Sequence, residues 1–79
     1  AGEREAITQR LSISKPSHIE NTTVTGLDTS DGFRFLLADR TWLLIRFSGT
    51  EPILRIYTES DSPARVKELL AAGRRMAGV

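Results

Sequence analysis

The stretch Arg46-Phe47-Ser48-Gly49-Thr50-Glu51-Pro52 puts a guanidinium, two hydroxyls and a glycine into one tight loop, and Arg55 adds a second guanidinium shortly after. These are the groups that grip a phosphate by charge and by geometry together. An arginine is planar, permanently charged and able to donate two parallel hydrogen bonds to phosphate oxygens. Serine and threonine hydroxyls donate from short stems. Glycine permits backbone conformations in which successive N–H groups converge on an anion. The bland alternative is a polar hairpin loop whose arginines form surface ion pairs.

The elements around this loop can be read from residue pattern. A short helix is expected over residues 3–11, with Ile7 and Leu11 on one face and Glu3, Arg4, Glu5 and Arg10 mostly solvated. Residues 12–17, with Pro16, read as a connector. From about Asn21 the branched residues Thr22, Thr23, Val24 and Thr25 favour a strand. Residues 28–32 form a turn punctuated by Asp31-Gly32. Strands are expected over 33–38, 41–47 and 53–59, the first two joined by a tight turn at 38–40. Ser62-Pro63 then opens a helix, with Ser as N-cap, Pro in the first turn, and Val66, Leu69, Leu70, Gly73 and Ala77 as its apolar stripe.

Short turns imply antiparallel neighbours. Alternation gives the sheet one strongly apolar face: Phe33, Phe35, Leu37, Leu43, Ile45, Phe47, Leu54 and Ile56. The expected fold class is α+β. It has two layers, a four-stranded, mainly antiparallel sheet with an N-terminal and a C-terminal helix covering one face. By the same alternation Arg46 and Arg55 lie opposite their strands' apolar residues, so both guanidiniums can leave the core and reach one mouth. One phosphate at the loop tip would then meet Arg46, Ser48, the Gly49 backbone, Thr50 and Arg55.

Composition narrows the function classes. The 79 residues carry 11 Lys and Arg against 10 Asp and Glu, a net charge of +1, which argues against a dedicated nucleic-acid binder with its basic stripe. There is no cysteine, hence no disulfide and no thiolate metal site. No stretch approaches the roughly 20 apolar residues of a membrane-spanning helix. The charged N-terminus is not a secretory signal. The chain begins without Met and reads as one domain, residues 1–79, excised from a longer protein.

Other candidates are weaker. His18 is the only histidine, and one His makes no metal site. Trp42 is expected to pack on the sheet. Tyr57 shares a face with Arg55. Glu51 suits a loop-pinning carboxylate better than a general base. Asp28, Asp31 and Asp39 lie in turns, where Asp has a structural job. No nucleophile–base constellation can be assembled, so no residue is assigned to catalysis or to a metal.

The string from Ile45 to Glu59 resembles the phosphate-binding loop of the α-D-phosphohexomutases, which include phosphoglucomutase/phosphomannomutase and phosphoglucosamine mutase. The Asp31-Gly32 turn, Trp42 and the Ser62-Pro63 helix resemble the fourth, C-terminal domain of those enzymes. The resemblance implies four domains around one cleft. A phosphoserine in the first passes its phosphoryl group to the sugar phosphate, and the bisphosphorylated sugar reorients before returning the other phosphate. Magnesium is held by the second domain, and the third reads the sugar hydroxyls. The fourth grips the phosphate that is not reacting and rotates to close the cleft. The family's phosphate ligands match Arg46, Ser48, Gly49 and Thr50, and a second arginine used by some members matches Arg55.

The resemblance thus implies an isomerase acting on hexose phosphates in the cytoplasm, with magnesium as a cofactor bound outside this segment. Its partners would be the substrate phosphate and the other domains of the same chain, with no nucleic acid and no membrane. A phosphoglucosamine mutase domain, or a stand-alone phosphate-binding module without catalysis, is the alternative. Phosphoryl transfer needs an in-line nucleophile and neutralisation of developing charge. This segment supplies only positive charge and positioning, so alone it is expected to have no mutase activity.

Overall fold

In the computed structural model, which describes residues 2–48 and 53–78, a five-stranded antiparallel meander is covered on one face by two helices. Helix α1 spans Gly2–Ser14. Strands β1 (His18–Ile19), β2 (Thr22–Asp28), β3 (Phe33–Leu37), β4 (Trp42–Phe47) and β5 (Leu54–Glu59) follow in chain order, and the sheet keeps that order. Helix α2 (Pro63–Ala77) closes the chain.

The α+β class and the layer arrangement agree with expectation; the strand count does not. The fifth strand is β1, two residues long, pairing Ile19 with Thr22. It exists because Glu20 and Asn21 take positive φ values of 49° and 64°. A two-residue hairpin of this hand needs positive φ at both central positions. Glu-Asn is not the usual residue pair for such a turn, so residue pattern left His18 in the connector. Helix α1 also runs on to Ser14, past its expected end at 11. Ser12 and Ser14 hydroxyls donate back to the Thr8 and Leu11 carbonyls at 2.8 and 3.1 Å, which hides their polarity within the helix.

The β3–β4 turn is tight. Arg40 N–H donates to the Leu37 carbonyl at 3.1 Å and Leu37 N–H to the Thr41 carbonyl at 3.0 Å. Arg40 takes φ 70°, the left-handed position of a three-residue hairpin loop. Arg65 of α2 ties two turns together: its guanidinium donates to the Glu20 carbonyl at 3.3 Å, to the Thr22 hydroxyl, and to the Asp39 carboxylate at 3.3 Å.

The core lies between the helices and the apolar face of the sheet. Leu11, Ile19, Phe35, Leu37, Leu43, Ile45, Leu69 and Ala72 form one buried cluster. Phe33, Leu54 and Ile56 pack against it, as alternation predicts. The α2 stripe also includes Ala72, which the expected stripe lacks. Gly73 sits where the helix comes closest to the sheet. A Cβ there would stand 2.8 Å from Ile56 Cγ2, so only glycine lets α2 approach β5 this closely. Ser62 caps α2, its hydroxyl accepting from Arg65 N–H at 3.2 Å.

Two turn carboxylates give the fold a pH dependence. Asp28 is held below its ordinary 3.8, first by the Ser30 backbone N–H at 2.9 Å and then by the Ser30 hydroxyl at 2.7 Å, with Arg34 helping. Asp39 is lowered mainly by the Thr41 hydroxyl, with Arg65 contributing less. A carboxylate with a depressed folded-state pKa adds stability that is complete above the unfolded value and is lost as pH falls through the folded one. Unfolding by denaturant should therefore become easier as pH drops from about 5 toward 2, and Asp39→Asn should remove part of that slope. A pH-independent midpoint over this range would contradict the assignment.

Candidate functional site: a cationic corner at the β4–β5 hairpin

The β4–β5 register pairs Phe47 with Leu54, Arg46 with Arg55, Ile45 with Ile56 and Leu44 with Tyr57. Arg46 and Arg55 are thus direct cross-strand neighbours, one residue pair in from the hairpin end. Both project from the face opposite the helices, since their strand neighbours Ile45 and Ile56 point into the core. Like charges directly opposite across a sheet are destabilising. A fold that keeps such a pair bears a cost that an anion between the two guanidiniums would reverse.

Ser48 follows Arg46 by two residues and is buried, 8 % exposed. Its N–H donates to the Ile53 carbonyl at 2.9 Å and closes the loop at its base. Gly49 and Thr50, like Glu51, lie outside the described residues. Of the five phosphate-site candidates, the structure therefore places Arg46, Ser48 and Arg55: the two arginines are register partners at the hairpin end, and Ser48 follows at the base of the loop.

Arg46 is the most constrained of the three. Its Nη1 donates to Asp31 Oδ2 at 3.0 Å. Its Nε is enclosed and has no hydrogen-bond partner among the described residues. An enclosed donor without an acceptor marks either an ordered water or a missing ligand. A cavity of about 320 Å³ opens beside this corner, between α1, the β2–β3 turn and β4, and its lining includes Arg4, Thr8, Ser30, Asp31 and Arg46. Arg4 lies with its guanidinium 5.1 Å from the centre of the Phe47 ring, a cation–π distance.

The two ends of the sheet differ in charge. The far end, around the β3–β4 turn and the entry to α2, has a cavity lined by Asp39, Arg40, Thr41, Glu59, Ser60, Asp61 and Ser62. Its three carboxylates outnumber Arg40 and disfavour an anion. The arginine pair stands at the other end.

Three residues in this region escaped residue pattern. Asp31 was read as a turn residue only; its pairing with Arg46 spans 15 positions and depends on how the β2–β3 turn folds against β4. Arg34 lies 5.2 Å from the Trp42 ring on the outer sheet face, and its Nε is also enclosed without a partner. Arg4 is exposed, as expected, but its place over the Phe47 ring has no signal in residue pattern. Of the weaker candidates, His18 is exposed with Nδ1 3.0 Å from the Ser17 hydroxyl. Trp42 is half-buried under Arg34, and Tyr57 is 40 % exposed on the face that bears Arg55.

Among the described residues no three His, Cys, Asp or Glu side chains gather as a metal site would require. The described residues thus offer no magnesium site, and the resemblance implies that ion outside this segment. No helix among the described residues is long and apolar enough to cross a membrane.

A two-layer α+β domain with a doubly cationic hairpin end is thus the class that fold and corner define. The chain belongs to the family of phosphoglucomutase/phosphomannomutase C-terminal domains, whose pattern it matches over residues 3–75. It is 35% identical over 75 residues to a phosphoglucomutase/phosphomannomutase of Thermococcus kodakarensis, a match covering 95% of this chain and 15% of that protein. A phosphoglucosamine mutase of Methanococcus aeolicus is 44% identical over 57 residues, covering 72% of this chain and 12% of the relative. A phosphopentomutase of Thermococcus kodakarensis is 49% identical over 41 residues, 52% of this chain and 9% of the relative. The chain therefore spans about a seventh or less of the length of these curated relatives.

Proposed function

We propose that this chain is the phosphate-gripping, fourth domain of a longer sugar-phosphate mutase. The observation that carries the reading is the direct pairing of Arg46 with Arg55 at the hairpin end, with Ser48 at the base of the loop. Two guanidiniums and a hydroxyl suit a dianion that must be held without being attacked. Gly49 and Thr50 would add a backbone N–H and a second hydroxyl, as the resemblance implies.

In the proposed reaction, hexose 1-phosphate and hexose 6-phosphate interconvert through a bisphosphorylated sugar and a phosphoserine, the latter outside this segment. The intermediate must present either of its phosphates to the same grip. A site that reads charge and oxygen geometry, and not the sugar, accepts both orientations. Holding the remote phosphate orders the substrate and favours closure of the cleft, so its binding energy lowers the barrier at the other end of the sugar. Magnesium would be bound elsewhere in the longer protein, the enzyme would work in the cytoplasm, and the 79-residue segment alone would not turn over substrate.

The relatives' names cover phosphoglucomutase/phosphomannomutase, phosphoglucosamine mutase and phosphopentomutase. That spread supports a domain shared across sugars, with a hexose phosphate proposed here and phosphoglucosamine as the alternative substrate. The test is kinetic, in the mutase that contains this segment. Ser48→Ala and Arg55→Ala should each lower kcat/KM for the sugar phosphate, while phosphorylation of the enzyme's own serine survives. Unchanged kcat/KM in both variants would refute the phosphate-gripping role.

A further inference from the structure

We propose that Asp31 is a positioning residue that presets the Arg46 guanidinium for phosphate. The inference rests on the phosphate-gripping reading above and assigns that site a further residue. Asp31 Oδ2 accepts from Arg46 Nη1 at 3.0 Å. This one contact uses one of the five N–H donors of a guanidinium and, with Nε enclosed, leaves the remaining Nη donors for a ligand. The carboxylate also offsets part of the repulsion between Arg46 and Arg55 before any anion arrives.

The turn that carries Asp31 is built to hold it still. Ser30 donates twice to Asp28, from its N–H at 2.9 Å and from its hydroxyl at 2.7 Å. Gly32, at φ 89°, lies flat against the Arg46 stem: a Cβ there would stand 2.6 Å from Arg46 Cβ and 2.7 Å from the Ile45 carbonyl oxygen. Asp31-Gly32 thus touches Arg46 at both ends, glycine against the stem and carboxylate on the head. The enclosed Nε limits how the head can turn. An arginine held this way loses less freedom on binding phosphate than one swinging in solvent.

The opposite role, a carboxylate that competes with phosphate for Arg46, predicts the opposite sign, so affinity decides between them. The experiment titrates the chain with glucose 1,6-bisphosphate and follows the Arg46 and Arg55 Nε–Hε signals by NMR, for wild type, Asp31→Asn, Asp31→Ala and Asp31→Glu. Asp31 is mostly exposed, so these variants should lower the thermal midpoint by no more than a few degrees. Asn and Ala should raise Kd roughly two- to fivefold, the span of an exposed ion pair converted to affinity. They should shift the Arg46 Nε–Hε signal and leave that of Arg55 in place, and Glu should recover part of the affinity. Unchanged or tighter binding by Asn and Ala, while wild type binds, would overturn the positioning role alone. A lowered midpoint with unchanged Kd would mark Asp31 as merely structural and overturn it too. Failure of the wild-type chain to bind would bring down the phosphate-gripping reading, and the positioning role with it.

Discussion

Arg46→Ala should weaken binding of a sugar bisphosphate by roughly ten- to a hundredfold, the loss expected when hydrogen bonds from a charged donor worth about 1.5–3 kcal/mol are removed. Arg46→Lys should restore little of this. Lysine is a point charge and cannot present two parallel donors in a plane. The stability of the unliganded chain should move the other way or not at all. Removing Arg46 relieves the like-charge pairing with Arg55 and forfeits only the exposed contact to Asp31. Calorimetry and thermal unfolding on the same variant separate the two effects. A variant that binds as tightly as wild type but melts lower would mean that Arg46 serves the fold and not a ligand.

Leu69→Ala should have the largest effect on the fold. Leu69 is 0 % exposed and belongs to the buried cluster between α2 and the sheet. Truncating a fully buried leucine costs about 2–5 kcal/mol from lost transfer energy and the cavity left behind. A domain of this size has only about 4–12 kcal/mol to lose, at the usual stability per residue. The thermal midpoint should fall by about 10–40 °C, using the midpoint change per kcal/mol typical of small domains. Ile13→Ala is the control. Ile13 is 72 % exposed on α1, and its truncation should leave the midpoint nearly unchanged. Equal shifts in the two variants would contradict the placement of the core.

How far residue pattern reached differs between the two layers. Alternation along β4 and β5 put Ile45 and Ile56 inward and the two arginines outward, because a period of two leaves no other choice once one face is buried. It also placed both arginines at one mouth. Their direct register, and the closure of the loop by Ser48 N–H on the Ile53 carbonyl, are pairings that only the folded hairpin displays. Asp31 illustrates the limit: its chemistry in the free chain is that of any turn aspartate. It becomes part of the site through Gly32, whose missing side chain lets the β2–β3 turn close on β4.

Leu44 shows the same limit on the outer face. By alternation it belongs with Trp42 and Arg46, away from the helices, yet it is only 6 % exposed. Its cross-strand neighbours are Arg34 and Tyr57. Long amphipathic side chains such as these cover apolar surface while keeping their polar ends in water. Periodicity reports which face a residue takes; it does not report how well that face is covered. Strand β1 was missed for a different reason. Two residues are too few to show any period, and the strand depends on backbone angles at Glu20 and Asn21 that their side chains do not advertise.

The most direct test of the phosphate site is an amide chemical-shift titration of the chain with glucose 1,6-bisphosphate. Saturable shifts are expected at Arg46, Ser48, Gly49, Thr50 and Arg55, with the acidic end around Asp39, Glu59 and Asp61 unmoved. Shifts centred on that acidic end, or no shifts at all from a chain whose fold is intact, would contradict the phosphate site.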